Sequence, residues 1–352
     1  MVIYIIIGLL VLSVILISHE LGHFITAKMT GVRVEEFGLG YPPRIWGFKR
    51  GETTYSINAI PFGGFNKLTG EEDAADPRSL AAKSRRARLL VITGGTIANI
   101  LLSFVFFTVS FMFPQQRWEG NVKIEAVSEQ SAAETAGLAV GDLILAVDGE
   151  PLRDNNTLSL LIQEHLGETI TLEVRRPDES VVFIDVTPRL NPPEGQGHLG
   201  VMTSLADPVA IPYRHSLWKV VPLGLEEMWN VIKTWGEGLA SIFRSESPAS
   251  FVGPVALVQL TGEVAKFGIV PLLQIAGLIS LILGITNMFP IPALDGSRVV
   301  FLIIEAVRGG KRLQPKTEGI IHFVGFALLI LFSIVITFQD IIRIIHGESL
   351  LG

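Results

Sequence analysis

The five residues His19-Glu20-Leu21-Gly22-His23 have the types and spacing to do chemistry. Residues four apart share one face of a helix, so both imidazoles can reach one ion. Neutral imidazole is a zinc ligand, and the Glu inside the pair is placed to act as general base on a water at that ion. The pattern closes an apolar run that begins at Val2. Ionisable side chains inside such a run are costly unless they pair or bind something. A hydrolytic zinc takes three protein ligands and keeps one position open, so a third ligand is needed. The best candidate is Asp295, in the run Asn287-Met288-Phe289-Pro290-Ile291-Pro292-Ala293-Leu294-Asp295-Gly296. The prolines lack N–H donors and interrupt the preceding helix. Irregular backbone at membrane depth is tolerated only where protein or a water cavity surrounds it. Asp295 could equally cap a helix that starts at Gly296. Spacing alone leaves both readings open.

Those residues need a membrane-spanning frame. The chain has 352 residues, 49% of them hydrophobic and 18% charged. Soluble domains carry about 25% charged residues, so an integral membrane protein is expected. Four stretches are long enough to span a bilayer: Val2 to about Ala27, Leu89 to Phe113, Ile269 to Phe289 and Gly319 to Phe338. Met1 to Ser18 has neither a basic n-region nor a small-x-small cleavage site, so it reads as a retained first helix. The absence of cysteine excludes disulfides, thiolate zinc sites and a cysteine nucleophile.

Lys and Arg orient the spans. Lys83, Arg85, Arg86 and Arg88 precede the second, and Arg298, Arg308, Lys311, Arg312 and Lys316 lie between the third and fourth. Both loops should be cytoplasmic. Residues 114–215 carry seven basic against sixteen acidic side chains and should lie outside the cytoplasm. His19 and His23 then sit toward the cytoplasmic side.

Three further stretches frame the site. Val32 to Leu68 reads as β: residues 54–60 alternate polar and apolar, after a turn at 49–52. Pro61-Phe62-Gly63-Gly64-Phe65 follows. It is either part of a plain cytoplasmic hairpin or an edge that pairs with an extended peptide. In the second span, Gly94/Ala98 and Gly95/Asn99 are small-residue pairs at i, i+4, which let helices approach closely. Asn99 either hydrogen-bonds across that contact or takes part in catalysis. Trp218, Val221, Leu225, Met228, Ile232, Trp235, Leu239 and Ile242 form an amphipathic stripe, which with Trp229 suits a membrane interface or packing against the β-rich module that precedes it. Ser247 to Pro254 reads as a linker.

Trp118 to about Leu190 reads as a β-rich module. Strands are expected at 122–127, 143–147, 169–174 and 181–186, with a turn at Asp148-Gly149 and a helix capped by Asn155 or Asn156. Residues 136–144 and 147–151 resemble the characteristic segment of bacterial PDZ domains, which bind peptide ends by strand addition.

His19-Glu20-x-x-His23, the run ending at Asp295 and Gly296, the Gly95-x-x-x-Asn99 of span two and the PDZ-like insert together resemble the site-2 protease family, bacterial intramembrane zinc proteases of regulated proteolysis. The resemblance covers nearly the whole chain. It implies one Zn2+ held by His19, His23 and Asp295, Glu20 as catalytic base, and Asn287 near bound substrate. It also implies that Pro61, Phe62, Gly63, Gly64 and Phe65 belong to a substrate clamp, with Gly95 and Asn99 structural near the site. A single PDZ-like insert departs from the best-known members, which carry two.

The expected fold is an α-helical membrane protein. A four-transmembrane-helix core carries a cytoplasmic β-hairpin region and an inserted extracytoplasmic PDZ domain. Residues 1–114 and 255–352 form the halves of the core, 115–192 the PDZ domain, and 193–254 a linker with the amphipathic helix. The implied activity is hydrolysis within transmembrane segments of single-span proteins, such as anti-sigma factors or remnant signal peptides, in the bacterial inner membrane. Expected partners are those substrates, the bilayer, and a peptide or substrate ectodomain at the PDZ domain; nucleic acid is not among them. Rival readings are a non-catalytic PDZ scaffold, an ion transporter, and a membrane-anchored zinc protease acting on soluble proteins. Uncharged second and third spans argue against the transporter.

Overall fold

A computed structural model describes residues 2–71, 75–193, 196–244 and 252–346; the side chains of Pro61, Phe62, Phe243 and Pro315 also lie outside it, as do residues 247–251 of the expected linker. The chain divides into two compact units, Met1–Phe113 with His215–Gly352, and Pro114–Arg214.

In the first unit, α1 (Val2–Met29) leads into β1 (Val34–Arg50) and β2 (Thr53–Leu68), followed by α2 (Arg85–Ser110). The two strands pair antiparallel, and β1 is bent. Residues 36–39 pair with 54–57 on one side and with 64–67 on the other, while 44–50 continue the hairpin to 53–58. Segment 64–68 is therefore an edge: β1 pairs with one side of it, and no described strand pairs with the other. Ala27, Val32, Val34, Leu80 and Val91 form a buried cluster, with Phe24 and Leu68 against it. That cluster fastens the hairpin between α1 and α2. The α2 helix starts four residues earlier than the apolar run implies, because Ser84 Oγ accepts from the backbone N–H of Ala87. The second span is thus not charge-free: Arg88 lies inside it and is buried.

The second unit runs through β3 (Gln115–Val127), α3 (Ala132–Ala136), β4 (Leu143–Val147), β5 (Glu150–Pro151), α4 (Asn155–Glu164), β6 (Ile170–Arg175), β7 (Val181–Val186) and β8 (Val201–Tyr213). The sheet order is β7-β6-β4-β3-β8, with β5 on β4. The expected strands are present within a residue, apart from the earlier start of β3. Two expectations are corrected. The helix cap is Asp154, not Asn155 or Asn156: its carboxylate accepts from Thr157 N at 2.8 Å and Thr157 Oγ1 at 2.7 Å, and Arg117 holds it from outside. Residues 201–213, read as linker, form β8. They pair with β3 along most of its length, so the unit ends at Arg214 rather than at 192. Leu158, Leu161 and Ile162 on one face of α4 join Ile124, Ile144, Leu172 and Leu199 in the core.

The chain then re-enters the first unit as α5 (Leu217–Phe243), α6 (Pro254–Ala265), α7 (Ile269–Asn287), α8 (Asp295–Val307) and α9 (Pro315–Ile345). Among the described residues, four helices are long and apolar enough to cross a membrane: α1, α2, α7 and α9. The apolar stripe of α5 is partly packed and partly exposed. Trp235 packs on Phe289 and Gly224 meets Thr108 of α2, whereas Trp218, Val221, Leu225 and Trp229 remain exposed. Asp340 of α9 is buried and accepts from the N–H of Ala256, satisfying an N-terminal donor of α6.

Close packing of α1 on α2 rests on Gly22 and Gly94. A Cβ built on Gly22 would lie 2.1 Å from the Gly94 carbonyl oxygen. Gly22→Ala must push the helices apart. It should lower the thermal midpoint of the detergent-solubilised chain, a cost of about 1–3 kcal/mol. An unchanged midpoint would contradict this packing.

Candidate active site

The helical spacing of His19 and His23 turns both rings to one side of α1. Their Nε2 atoms stand 3.2 Å apart. The His23 ring is fixed from behind, where Nδ1 donates to the Val91 carbonyl of α2 at 2.8 Å. That bond leaves the Nε2 lone pair free for a metal. At Gly95 of α2, a Cβ would fall 2.5 Å from His23 Nε2 and 2.6 Å from His19 Cε1. Only a residue without a side chain lets α2 lie against both rings.

The third donor arrives from far along the chain. After α7 ends at Asn287, residues 288–294 form an irregular connection in which Ala293 takes a left-handed φ of +78°. A non-glycine residue there stores strain of about 1–3 kcal/mol, a kind of cost that clusters at functional sites. The turn delivers Asp295 as the first residue of α8. The N-cap is Leu294, so Asp295 does not cap the helix. Its Oδ2 lies 3.1 Å from Nε2 of both His19 and His23. This oxygen is buried and receives no aligned hydrogen bond.

The three donors fit a zinc ion. Tetrahedral ligands at bond lengths of roughly 2.0–2.1 Å stand about 3.3 Å from one another. The observed triangle has sides of 3.1, 3.1 and 3.2 Å. A buried carboxylate oxygen without a hydrogen bond, facing two ring nitrogens, is the arrangement a cation resolves.

Around this triad is a cavity of about 620 Å³. Glu20 and Asn287 line it beside the triad, as do Gly64, Phe65 and Asn66 from the edge of β2. Asn66 was not apparent from the sequence, because its partner lies 46 residues away. Its Nδ2 donates to Glu20 Oε2 at 2.8 Å and to the Glu20 carbonyl. Gly63 lies beside Leu16 and Tyr41, and Pro61 and Phe62 have no described side chains. Asn99 is fully buried but does not line the cavity. It faces α7, where its carbonyl accepts from Ser280 Oγ and its Cβ lies near Gly284. Arg298, one turn beyond Asp295, bonds Glu71 across the cavity wall. Burial works against its charge, but Glu71 and Asp295 outweigh that and raise its pKa, so it stays cationic.

A family model described as Peptidase family M50 matches residues 7–332. The chain belongs to peptidase family M50. This site-2 protease chain is 32% identical to the membrane metalloprotease ARASP of Arabidopsis thaliana, over 94% of this chain and 77% of that protein. It is 28% identical to the zinc metalloprotease RasP of Geobacillus kaustophilus, over 95% and 96% of the two chains. A solved PDZ domain of the SdrC-like protein of Listeria innocua matches 27% of this chain and 97% of its own length, at 19% identity and a TM-score of 0.20. The M50 chain is therefore a membrane zinc metalloprotease with Zn2+ as its cofactor.

The geometry predicts that Gly95→Ala disturbs the imidazoles without removing a ligand. Zinc affinity, measured by chelator competition, should fall about 10–100-fold, the range for changes just outside a ligand set. Wild-type affinity would mean that the rings tolerate a methyl group and that the α2 contact does not shape the site.

Proposed function

We propose that this protease cleaves peptide bonds within transmembrane segments of single-span proteins, with Glu20 as general base and His19, His23 and Asp295 as the zinc ligands. The observation that carries this reading is the meeting of those four side chains in one cavity among helices apolar enough to span a bilayer. Hydrolysis needs water, and a polar cavity supplies it where lipid cannot.

Zinc, when bound, supplies a Lewis acid that polarises the scissile carbonyl and acidifies water. Asn66 holds Glu20 Oε2, which leaves Oε1 to accept the water proton and then pass it to the leaving amine. Asn287, at the end of α7, offers amide donors to the substrate backbone or to negative charge developing on the carbonyl oxygen.

A transmembrane helix hides its carbonyls in its own hydrogen bonds, so the substrate must unwind locally. Residues 64–68 present an edge next to Glu20, and an unwound segment paired there regains hydrogen bonds. Pro61, Phe62, Gly63, Gly64 and Phe65 then act as the clamp, with Gly64 and Phe65 facing the substrate directly. The basic residues before α2 and between α7 and α9 support an inner-membrane orientation with the site toward the cytoplasm. The 114–214 unit then lies outside. Its PDZ-like segments support a role in binding peptide ends or excluding substrates with bulky outer portions. Anti-sigma factors and remnant signal peptides are the substrate classes that fit.

Glu20→Gln tests the base. Zinc content should stay at wild-type level, while cleavage of a single-span substrate should fall by about 10²–10⁴-fold. Persisting cleavage would refute the assignment. Comparing the same cleavable sequence in a spanning and in a soluble protein tests the intramembrane reading. Only the spanning form should be cut; equal rates would support an anchored protease of soluble proteins instead.

A further inference from the structure

Arg88 and Glu305 are buried side chains outside the proposed reaction, and neither lines the cavity around the triad. Arg88 Nη2 donates to both carboxylate oxygens of Glu305, at 2.6 and 2.7 Å. Arg312 Nε stands 3.5 Å from the same carboxylate. The partners are 217 residues apart, on α2 and α8.

Each of these helices carries part of the site. On α2, Val91 lies three residues after Arg88, and its carbonyl orients His23. Gly95, one turn further, lies against both imidazoles. On α8, Asp295 is the first residue and Glu305 lies ten residues later, roughly 15 Å along the axis. A tilt or roll of α8 at Glu305 would therefore move Asp295 relative to the His pair.

A buried ion pair is a poor source of stability, since desolvation offsets the attraction and an apolar pair of similar volume often does as well. Its distinctive property is direction: a short charge-assisted contact fixes how two surfaces meet. We infer that the Arg88–Glu305 pair is a positioning element that holds α8 on α2 and so sets Asp295 at ligating distance from His19 and His23. This rests on the zinc ligands proposed above.

The test uses the full chain in detergent, with Zn2+ and Co2+ as probes. Arg88→Met should lower zinc affinity about tenfold, the lower end of the range for residues supporting a ligand set. It should also change the visible absorption of the Co2+-loaded protein, which reports ligand geometry. Arg88→Lys, which keeps the charge and one bond, should recover part of the affinity. Arg88→Met/Glu305→Leu should keep the metal-free thermal midpoint but not the zinc affinity, which separates positioning from stability. Wild-type affinity and spectrum in Arg88→Met would overturn the inference, as would full recovery of both in the apolar double variant. If Arg88→Met does not fold, Glu305→Gln carries the same two readings. Wild-type zinc binding by His23→Ala would instead overturn the ligand assignment itself.

Discussion

Two imidazoles and a carboxylate meet at one point inside a body of apolar helices, and the rest of the fold answers to that constraint. None of the three groups is well solvated there. Asp295 Oδ2 lies 3.1 Å from two ring nitrogens that themselves stand 3.2 Å apart. A divalent cation converts a crowded polar triangle into a coordinated one.

Holding that triangle requires helices that approach more closely than side chains ordinarily permit. Gly22 and Gly94 bring α1 and α2 almost to backbone contact, and Gly95 leaves room for the rings. Without a strong hydrophobic drive between helices in lipid, such small-residue contacts and interhelical hydrogen bonds carry much of the association. The Val91 carbonyl accepts one of these bonds, and it also selects the His23 tautomer whose Nε2 lone pair faces Asp295. One contact therefore serves packing and chemistry together. The left-handed turn at Ala293 does the corresponding task for Asp295, with Pro292 beside it packed against Gly325 of α9.

Most local features were legible in the sequence and most long-range ones were not. The His19/His23 spacing is a helical repeat, so one stretch contains it. The Lys49–Glu52 turn, the alternation at 54–60 and strands β4 and β7 are equally local. The sequence leaves Asp295 open to two readings; in the structure Leu294 is the cap and Asp295 stands beside the imidazoles. Asn66 reads as one polar residue in an alternating strand, and its meaning appears only once β2 lies beside α1. Arg88 looked like one of several orienting charges before the second span, because its partner is on a helix that forms two-thirds of the chain later. The β8 strand was read as linker because its pairing partner, β3, lies at the other end of its unit. Local neighbours were not always enough, since Asp154 caps its helix beside two asparagines that looked as suitable and Ser84 starts α2 before the apolar run.

The proposed chemistry requires one cation shared by α1 and α8. Zinc X-ray absorption on the purified full chain, compared with its Asp295→Ala variant, examines this most directly. The account predicts one zinc per chain with two imidazole nitrogens and oxygen ligation, and loss of an oxygen contribution together with weaker retention in the variant. An identical spectrum and zinc content in the two proteins, or a wild-type spectrum without imidazole scattering, would contradict it.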